Sequence, residues 1–229
     1  LRHHGMTRFT DYLSRLERQP DAKEWEAFTN ALTTNLTAFF RESHHFPLLA
    51  EHIRHKQDPV TIWCSAASTG EEPYSIAMTL LETLGAKASQ AKVIATDIDT
   101  DALAKARKGI YPQEQVRKLD EARVKRFFQK GTGNHIGLAR VRPEVSALVE
   151  FMPLNLLAPQ WPIKGPFDAI FCRNVMIYFD KETQAKILKR FAPLMKQDGL
   201  LFAGHSENFS YISDAFKLRG QTVYTLANK

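Results

Sequence analysis

No apolar run in the sequence approaches the roughly 18 residues that a helical membrane span requires, so direct membrane insertion is not expected. The opening residues, "LRHHGMTRF", lack the apolar core of a signal peptide. They also lack an initiator methionine, as expected of a fragment whose upstream part is missing. Cysteine is scarce. Cys64 and Cys172 both lie inside apolar strand-like runs, which fits two buried free thiols in a reducing cytosol better than a disulfide or a metal site. Internal repeats and low-complexity segments are absent. Six of the eight histidines come early (His3, His4, His44, His45, His52, His55), but adjacent histidines are not a metal-ligand spacing, and most of these are expected to face solvent. No metal site is expected.

Glycine is also missing where it would be informative. "VTIWC" reads as a buried strand, and "PYSIAMTLLETL" reads as an amphipathic helix with Pro73 in its first turn. Between them lies "SAASTGEE". Nucleotide-binding folds place a glycine-rich phosphate loop at such a junction. This loop has one glycine, Gly70, and ends in Glu71 and Glu72. Acids at a helix N-terminus complement its dipole. They also repel a pyrophosphate, which argues against NAD, FAD and ATP. A phosphate-free, positively charged nucleoside such as S-adenosylmethionine suits them.

What is present is the composition of an ordinary globular protein. The 229 residues are 44% hydrophobic and 24% charged, enough for one sizeable domain and a small one. Residues 1–56 carry three helical patterns: Phe9, Tyr12, Leu13 and Leu16; then Trp25, Phe28 and Leu32; then "FPLLAEHIRH". From residue 57 strands and helices alternate. "KVIATDID" is a strand and "TDALAKARKG" a helix closed by Gly109; "VEFMPLNLL" holds a third strand and "FDAIFCRNV" is a fourth. "KETQAKILKRFAPLM" is a helix, "GLLFAGHSE" a fifth strand, and "FKLRGQTVYTL" an antiparallel hairpin around Gly220. This order predicts a doubly wound α/β fold, with a mostly parallel sheet made mixed by the hairpin. Residues 131–148, "GTGNHIGLARVRPEVSAL", break the alternation and read as an inserted antiparallel β element.

In such sheets ligands bind beyond the carboxyl ends of the strands. The loops "SAASTGEE", "DID", "NLL" and "RNVMIYF" therefore converge. Asp97 ends the second strand, where an acid can accept hydrogen bonds from ribose hydroxyls. It could equally cap the next helix, a role open to Asp99 or Thr100 as well.

Charge is uneven. Residues 105–142 hold eleven Lys or Arg against three acids, while the whole chain has a net charge of +6. Such a run is a solvated face or a surface that attracts an acidic partner.

"NLTAFFRE", "ASTGEEPYSIAM", "DIDT", "FDAIFCRNVMIYFD" and "LLFAGHSEN" together resemble the bacterial chemotaxis receptor methyltransferases, the CheR family, from about Leu13 onward. The resemblance implies a cytoplasmic, monomeric, S-adenosylmethionine-dependent protein-glutamate O-methyltransferase. Its fold would be a class I, Rossmann-like seven-stranded sheet at residues 57–229. A partial helical N-terminal domain would occupy residues 1–56. By the same resemblance Asn35, Thr37 and Arg41 line the cofactor site from the interdomain side. Glu72 meets the cofactor's methionine end, Asp97 its ribose, and Asn155 and Leu156 its adenine. Arg173, Asn174 and Tyr178 face the transferable methyl. Arg41 is the candidate to hold the acceptor carboxylate, unless it is a surface arginine paired with Glu42. Tyr178 would bond the acceptor, pack on the sulfonium or lie in the core. Phe39, Phe40, Met176 and Phe179 exclude water or form plain core. His205 is expected to be structural.

The implied partners are the acidic cytoplasmic helices of chemoreceptors. In some family members the inserted β element also captures a receptor's C-terminal peptide, and those carry a loop like "GTG" at 131–133. A nucleic-acid methyltransferase would need aromatics interleaved with the basic run. Its stretch 117–130, "RKLDEARVKRFFQK", has only Phe127 and Phe128, at positions that look like core, and "CRNV" replaces the "NPPY"-type motif. A non-catalytic adaptor would be marked by loss of Arg41 or Tyr178, and both are present.

Overall fold

The computed structural model describes residues 5–18 and 22–227; His3 and His4 lie outside them. Two short helices come first, α1 (Phe9–Arg18) and α2 (Ala22–Leu32). Next come α3 (His45–Ile53), β1 (Thr61–Cys64), α4 (Glu71–Leu84), β2 (Lys92–Asp97) and α5 (Thr100–Lys108). The segment β3 (Ile110–Pro112), α6 (Gln113–Val116), α7 (Glu121–Phe127), β4 (Phe128–Lys130), β5 (Leu138–Val141) and α8 (Pro143–Ser146) follows. The chain closes with β6 (Val149–Pro153), β7 (Phe167–Cys172), α9 (Lys181–Phe191), β8 (Met195–Ala203), β9 (Phe216–Gly220) and β10 (Val223–Leu226).

Seven strands form one sheet in the order β6-β2-β1-β7-β8-β10-β9. The first five are parallel, and the terminal hairpin adds β10 and β9 antiparallel. The expected mixed, doubly wound sheet is present. Side chains alternate across it, as strand geometry requires. Ile62, Cys64, Phe171 and Phe202 face one core cluster with Phe46, Leu49 and Ile53 of α3. Trp63, Ile170, Cys172 and Leu201 face the other with Ile187, Leu188 and Phe191 of α9. Both cysteines are buried and free.

Two boundaries differ from the sequence reading. The three helices expected as one unit over residues 1–56 are divided by packing, because α3 is part of the sheet's own core. The inserted element is larger than residues 131–148. Its sheet has the order β3-β5-β4, so two of its strands precede that stretch. Those strands are three residues long and set among charged residues, which leaves no periodicity to read. Phe127 and Phe128 are buried, as their positions indicated. Among the described histidines, His45 departs from the solvent-facing expectation. It is buried beneath the terminal hairpin, where its Nε2 lies 2.9 Å from the Gln221 carbonyl.

Candidate active site

The chain order reverses between β1 and β7, with β2 and β6 on one side and β8 on the other. Beyond the carboxyl ends of these strands lies a cavity of about 560 Å³, within the usual range for a small-molecule site. Its wall includes all ten residues singled out from the sequence: Asn35, Thr37, Arg41, Glu72, Asp97, Asn155, Leu156, Arg173, Asn174 and Tyr178.

The loop after β1 explains its single glycine. Gly70 precedes α4 with φ 100°, in the left-handed region. A Cβ added there would meet Tyr111 Oη at 2.8 Å and Ala106 Cβ at 2.9 Å. Tyr111, on β3, donates to the Thr69 carbonyl at 2.8 Å, so the small sheet is fastened to this loop.

The two glutamates that follow separate. Glu71 accepts from Thr69 Oγ1 at 2.6 Å and is not part of the cavity wall, so only one of the two acids read as suiting a cationic ligand faces the cavity. Glu72 does line the cavity. Its Oε2 accepts from Arg173 Nη1 at 2.7 Å, and its Oε1 lies 3.3 Å from Cys64 Sγ. Burial pushes the Glu72 carboxyl up from the usual range, and the Arg173 guanidinium acts against that shift.

Arg173 was expected to face the reacting group. Its guanidinium instead turns into the protein. Beside Glu72, its Nη2 donates to the Arg41 carbonyl at 2.5 Å and lies 3.3 Å from Glu42. Glu42 therefore pairs with Arg173 and not with Arg41. Burial works to raise the Glu42 carboxyl, but Arg173, the His205 backbone N–H and Asn174 hold it below the ordinary value. The His205 side chain is exposed and outside the cavity wall.

Asp97 ends β2 with Oδ2 accepting from Ser68 N–H at 2.7 Å and Oδ1 from Asp99 N–H at 2.9 Å. The Ile98 backbone N–H also bears on the carboxylate, whose roughly four acceptor sites are not all used. Burial raises its pKa and those backbone bonds oppose the rise. The capping role belongs to Asp99, which accepts from Ala102 N–H at the start of α5. Asp99 also receives Thr33 Oγ1 at 2.5 Å and Asn35 Nδ2 at 2.7 Å. These bonds, with Ser68 Oγ on Asn35 Oδ1 at 2.8 Å, hold the segment after α2 against the strand ends.

Arg41 donates one Nη1 bond, to the Leu36 carbonyl at 2.9 Å. Tyr178 is 61% exposed at the cavity mouth, which removes the core reading for it. Phe40 and Met176 are core, and Phe179 belongs to the cavity wall. Leu36, Ile98 and Ile177 complete an exposed apolar rim. Sequence reasoning missed them because single apolar residues in loops carry no periodicity.

Among the described residues the wall holds two acids (Glu72, Asp97), two arginines and no lysine, and one arginine is already paired with glutamates. This set offers hydrogen-bond acceptors and apolar surface but little for a phosphate. It fits a ribose, an adenine and a cationic methionine moiety.

The family that the sequence matches agrees with this chemistry. Residues 35–225 match the family described as "CheR methyltransferase, SAM binding domain". The chain is 60% identical to the chemotaxis protein methyltransferase of Escherichia coli (strain K12) over 99% of its length and 79% of that protein's. It is 54% identical to chemotaxis protein methyltransferase 2 of Pseudomonas aeruginosa over 96% of its length, again covering 79% of the relative. Among solved structures, a glycopeptide N-methyltransferase complexed with sinefungin aligns with a TM-score of 0.45 at 10% identity, covering 75% of this chain and 52% of that one.

The buried histidine beside this site has a measurable signature. Burial, seconded by Arg173, depresses the His45 pKa to about 4, although the Gln221 carbonyl and Glu42 favour its protonation. The unfolded imidazole takes up a proton below its ordinary value near 6.5. His45 thus contributes stability that is fully present above that value and is lost as pH falls toward 4. Urea melts of the chain should show stability declining with acidity across this window. His45→Gln should flatten the decline by about one proton; an unchanged slope would remove His45 as its source.

Proposed function

The chain belongs to the CheR methyltransferase family, and on that premise we propose that it methylates glutamate side chains on the cytoplasmic helices of chemoreceptors. It is a chemotaxis methyltransferase that uses S-adenosylmethionine. One observation carries the site assignment: a nucleotide-sized cavity at the switch point of the sheet whose wall holds acids in place of phosphate-binding groups. Asp97 takes the ribose hydroxyls, Asn155 and Leu156 flank the adenine, and Glu72 draws the ammonium, with Asn35 and Thr37 closing the interdomain side. Asn174 completes the wall near the methyl, and Arg173 braces Glu72 and the Arg41 backbone from within the protein.

When bound, the cofactor supplies a methyl group on a sulfonium; transfer leaves S-adenosylhomocysteine and a glutamate methyl ester, and no proton changes hands. The acceptor carboxylate has an ordinary pKa near 4.3 and is ionised at neutral pH, so no general base is needed. The residues act by positioning. Arg41 presents the rest of its planar fork to the acceptor's two oxygens. Its backbone is held by Arg173 and its side chain is braced on the Leu36 carbonyl. Tyr178 meets the acceptor or the sulfonium from the rim. Phe179 and Ile177 exclude water from a step in which opposite charges disappear.

The basic segment is the proposed receptor surface. Arg123 is taken by Glu82, and Arg107 by the Phe151 carbonyl. Lys105, Lys108, Arg117, Lys118, Lys130 and Arg140 remain exposed along α5 and the inserted element. The groove of about 210 Å³ beside Gly131 is the proposed seat of a receptor's C-terminal peptide, added as a strand to the small sheet.

Incubation with labelled S-adenosylmethionine should place a base-labile label on receptor fragments and none on RNA. Arg41→Ala should lower turnover on the order of a hundredfold while cofactor binding survives in part; an unaltered rate removes Arg41 from the mechanism. Asp97→Ala should weaken cofactor affinity by about tenfold to a hundredfold, and calorimetry giving the wild-type value refutes the ribose role. Receptor binding should weaken steeply as salt rises from about 0.1 M toward 1 M, whereas a flat response counts against the basic surface.

A further inference from the structure

Glu207 follows β8 in the motif "GHSEN" and is only 4% exposed. It is not part of the cavity wall. Its carboxylate is saturated by main-chain donors. Oε1 accepts from the backbone N–H of Val175 at 3.0 Å and of Met176 at 2.8 Å. Oε2 accepts from Asn174 at 2.9 Å and Gly204 at 2.5 Å. A carboxylate offers about four acceptor sites, and all four are used.

Three of these donors are consecutive residues of the loop after β7. Successive N–H groups turned toward one point form a concavity that demands an anion, and here the protein supplies it. The loop does not hold this shape cheaply. Asn174 sits at φ 58°, a left-handed conformation that strains a residue with a side chain. The loop also rests on Gly204, where an added Cβ would lie 2.5 Å from Asn174 Nδ2, 2.7 Å from Glu207 Oε2 and 2.8 Å from Asn174 N. Burial favours the neutral form of Glu207, and the four N–H groups act against it. Arg173 and Asn174 leave from the start of this loop, and Tyr178 lies in the 3-10 turn at its end.

We propose that Glu207 is a positioning residue for methyl transfer: its carboxylate clamps the Asn174–Met176 backbone, and so fixes where Arg173, Asn174 and Tyr178 stand around the cavity. The clamp acts through the loop and touches no reactant. Its catalytic consequence rests on the methyltransferase reading above, but its effect on the loop does not.

Glu207→Gln keeps the volume and loses one acceptor oxygen, turning an amide NH₂ toward backbone donors. In this variant of the full chain, hydrogen exchange should quicken at the amides of Asn174, Val175 and Met176 while the sheet amides keep their protection. The affinity for S-adenosylhomocysteine should fall by about tenfold. With receptor fragment, kcat should fall by about a hundredfold at saturating cofactor with the fragment's KM little changed. A cooperatively folded Glu207→Gln with wild-type exchange and kcat overturns the proposal, as does a loss of protection spread evenly over the sheet. Should that variant not fold, Gly204→Ala decides. Its methyl presses on Asn174 and on the Glu207 carboxylate itself, 2.7 Å from Oε2, so both sides of the clamp are disturbed; it should lower kcat with KM unmoved, and an unaffected kcat in a folded protein refutes the clamp. If wild-type chain methylates no receptor, the functional reading fails, while exchange and S-adenosylhomocysteine affinity still judge the clamp.

Discussion

A single buried guanidinium ties the cavity together. Arg173, at the end of β7, bridges Glu72 at the start of α4 and Glu42 in the segment before α3, and takes the Arg41 carbonyl as well. With its partners it joins three separate parts of the chain: residues 41–42, Glu72 and the end of β7. A buried ion pair adds little net stability compared with apolar packing, because desolvation offsets the attraction. What it does supply is geometry: charges stranded in a low dielectric tolerate few alternative arrangements. The walls of the cavity are therefore set relative to one another by a charge network.

That network also decides which ligands are welcome. The N-terminus of α4 is a ready anion site by virtue of its free N–H groups and dipole. Here the protein's own carboxylates occupy that electrostatic niche. Gly70 is kept for a different reason than in a phosphate loop. It lets the backbone pass against Ala106 and the Tyr111 hydroxyl. One glycine serves packing, and the others of a phosphate cradle have no function to perform.

The sheet, its helices and the closing hairpin were legible because each is a long apolar run bounded by turn residues and caps, and because the strands are buried on both faces. The converging loops were legible for the same reason, since strand ends define them. Other features depend on contacts far apart in sequence, which no local pattern records. Glu72 meets Arg173 across 101 positions, and His45 meets Gln221 across 176. Glu71 and Glu72 look alike as text, yet one helical step sends the first to Thr69 and the second into the cavity. Two strands of the small sheet were missed because, at three residues each, they are specified by pairing with β5 and by no pattern of their own. Glu207 belongs to a recognisable motif, but only the fold brings its carboxylate under the amides of a loop some thirty residues earlier.

The strap between α2 and α3 gives the architecture a modular consequence. Residues 33–41 belong to neither the helical layer nor the sheet, yet they contribute Asn35, Thr37 and Arg41 to the cavity wall and are moored to Asp99. The pocket is thus walled on one side by the strap and on the other by the strand-end loops. Grafting the leading helices of one homologue onto the sheet of another would exchange part of the ligand-binding surface along with them, so recombination at this junction would reshape chemistry as well as docking.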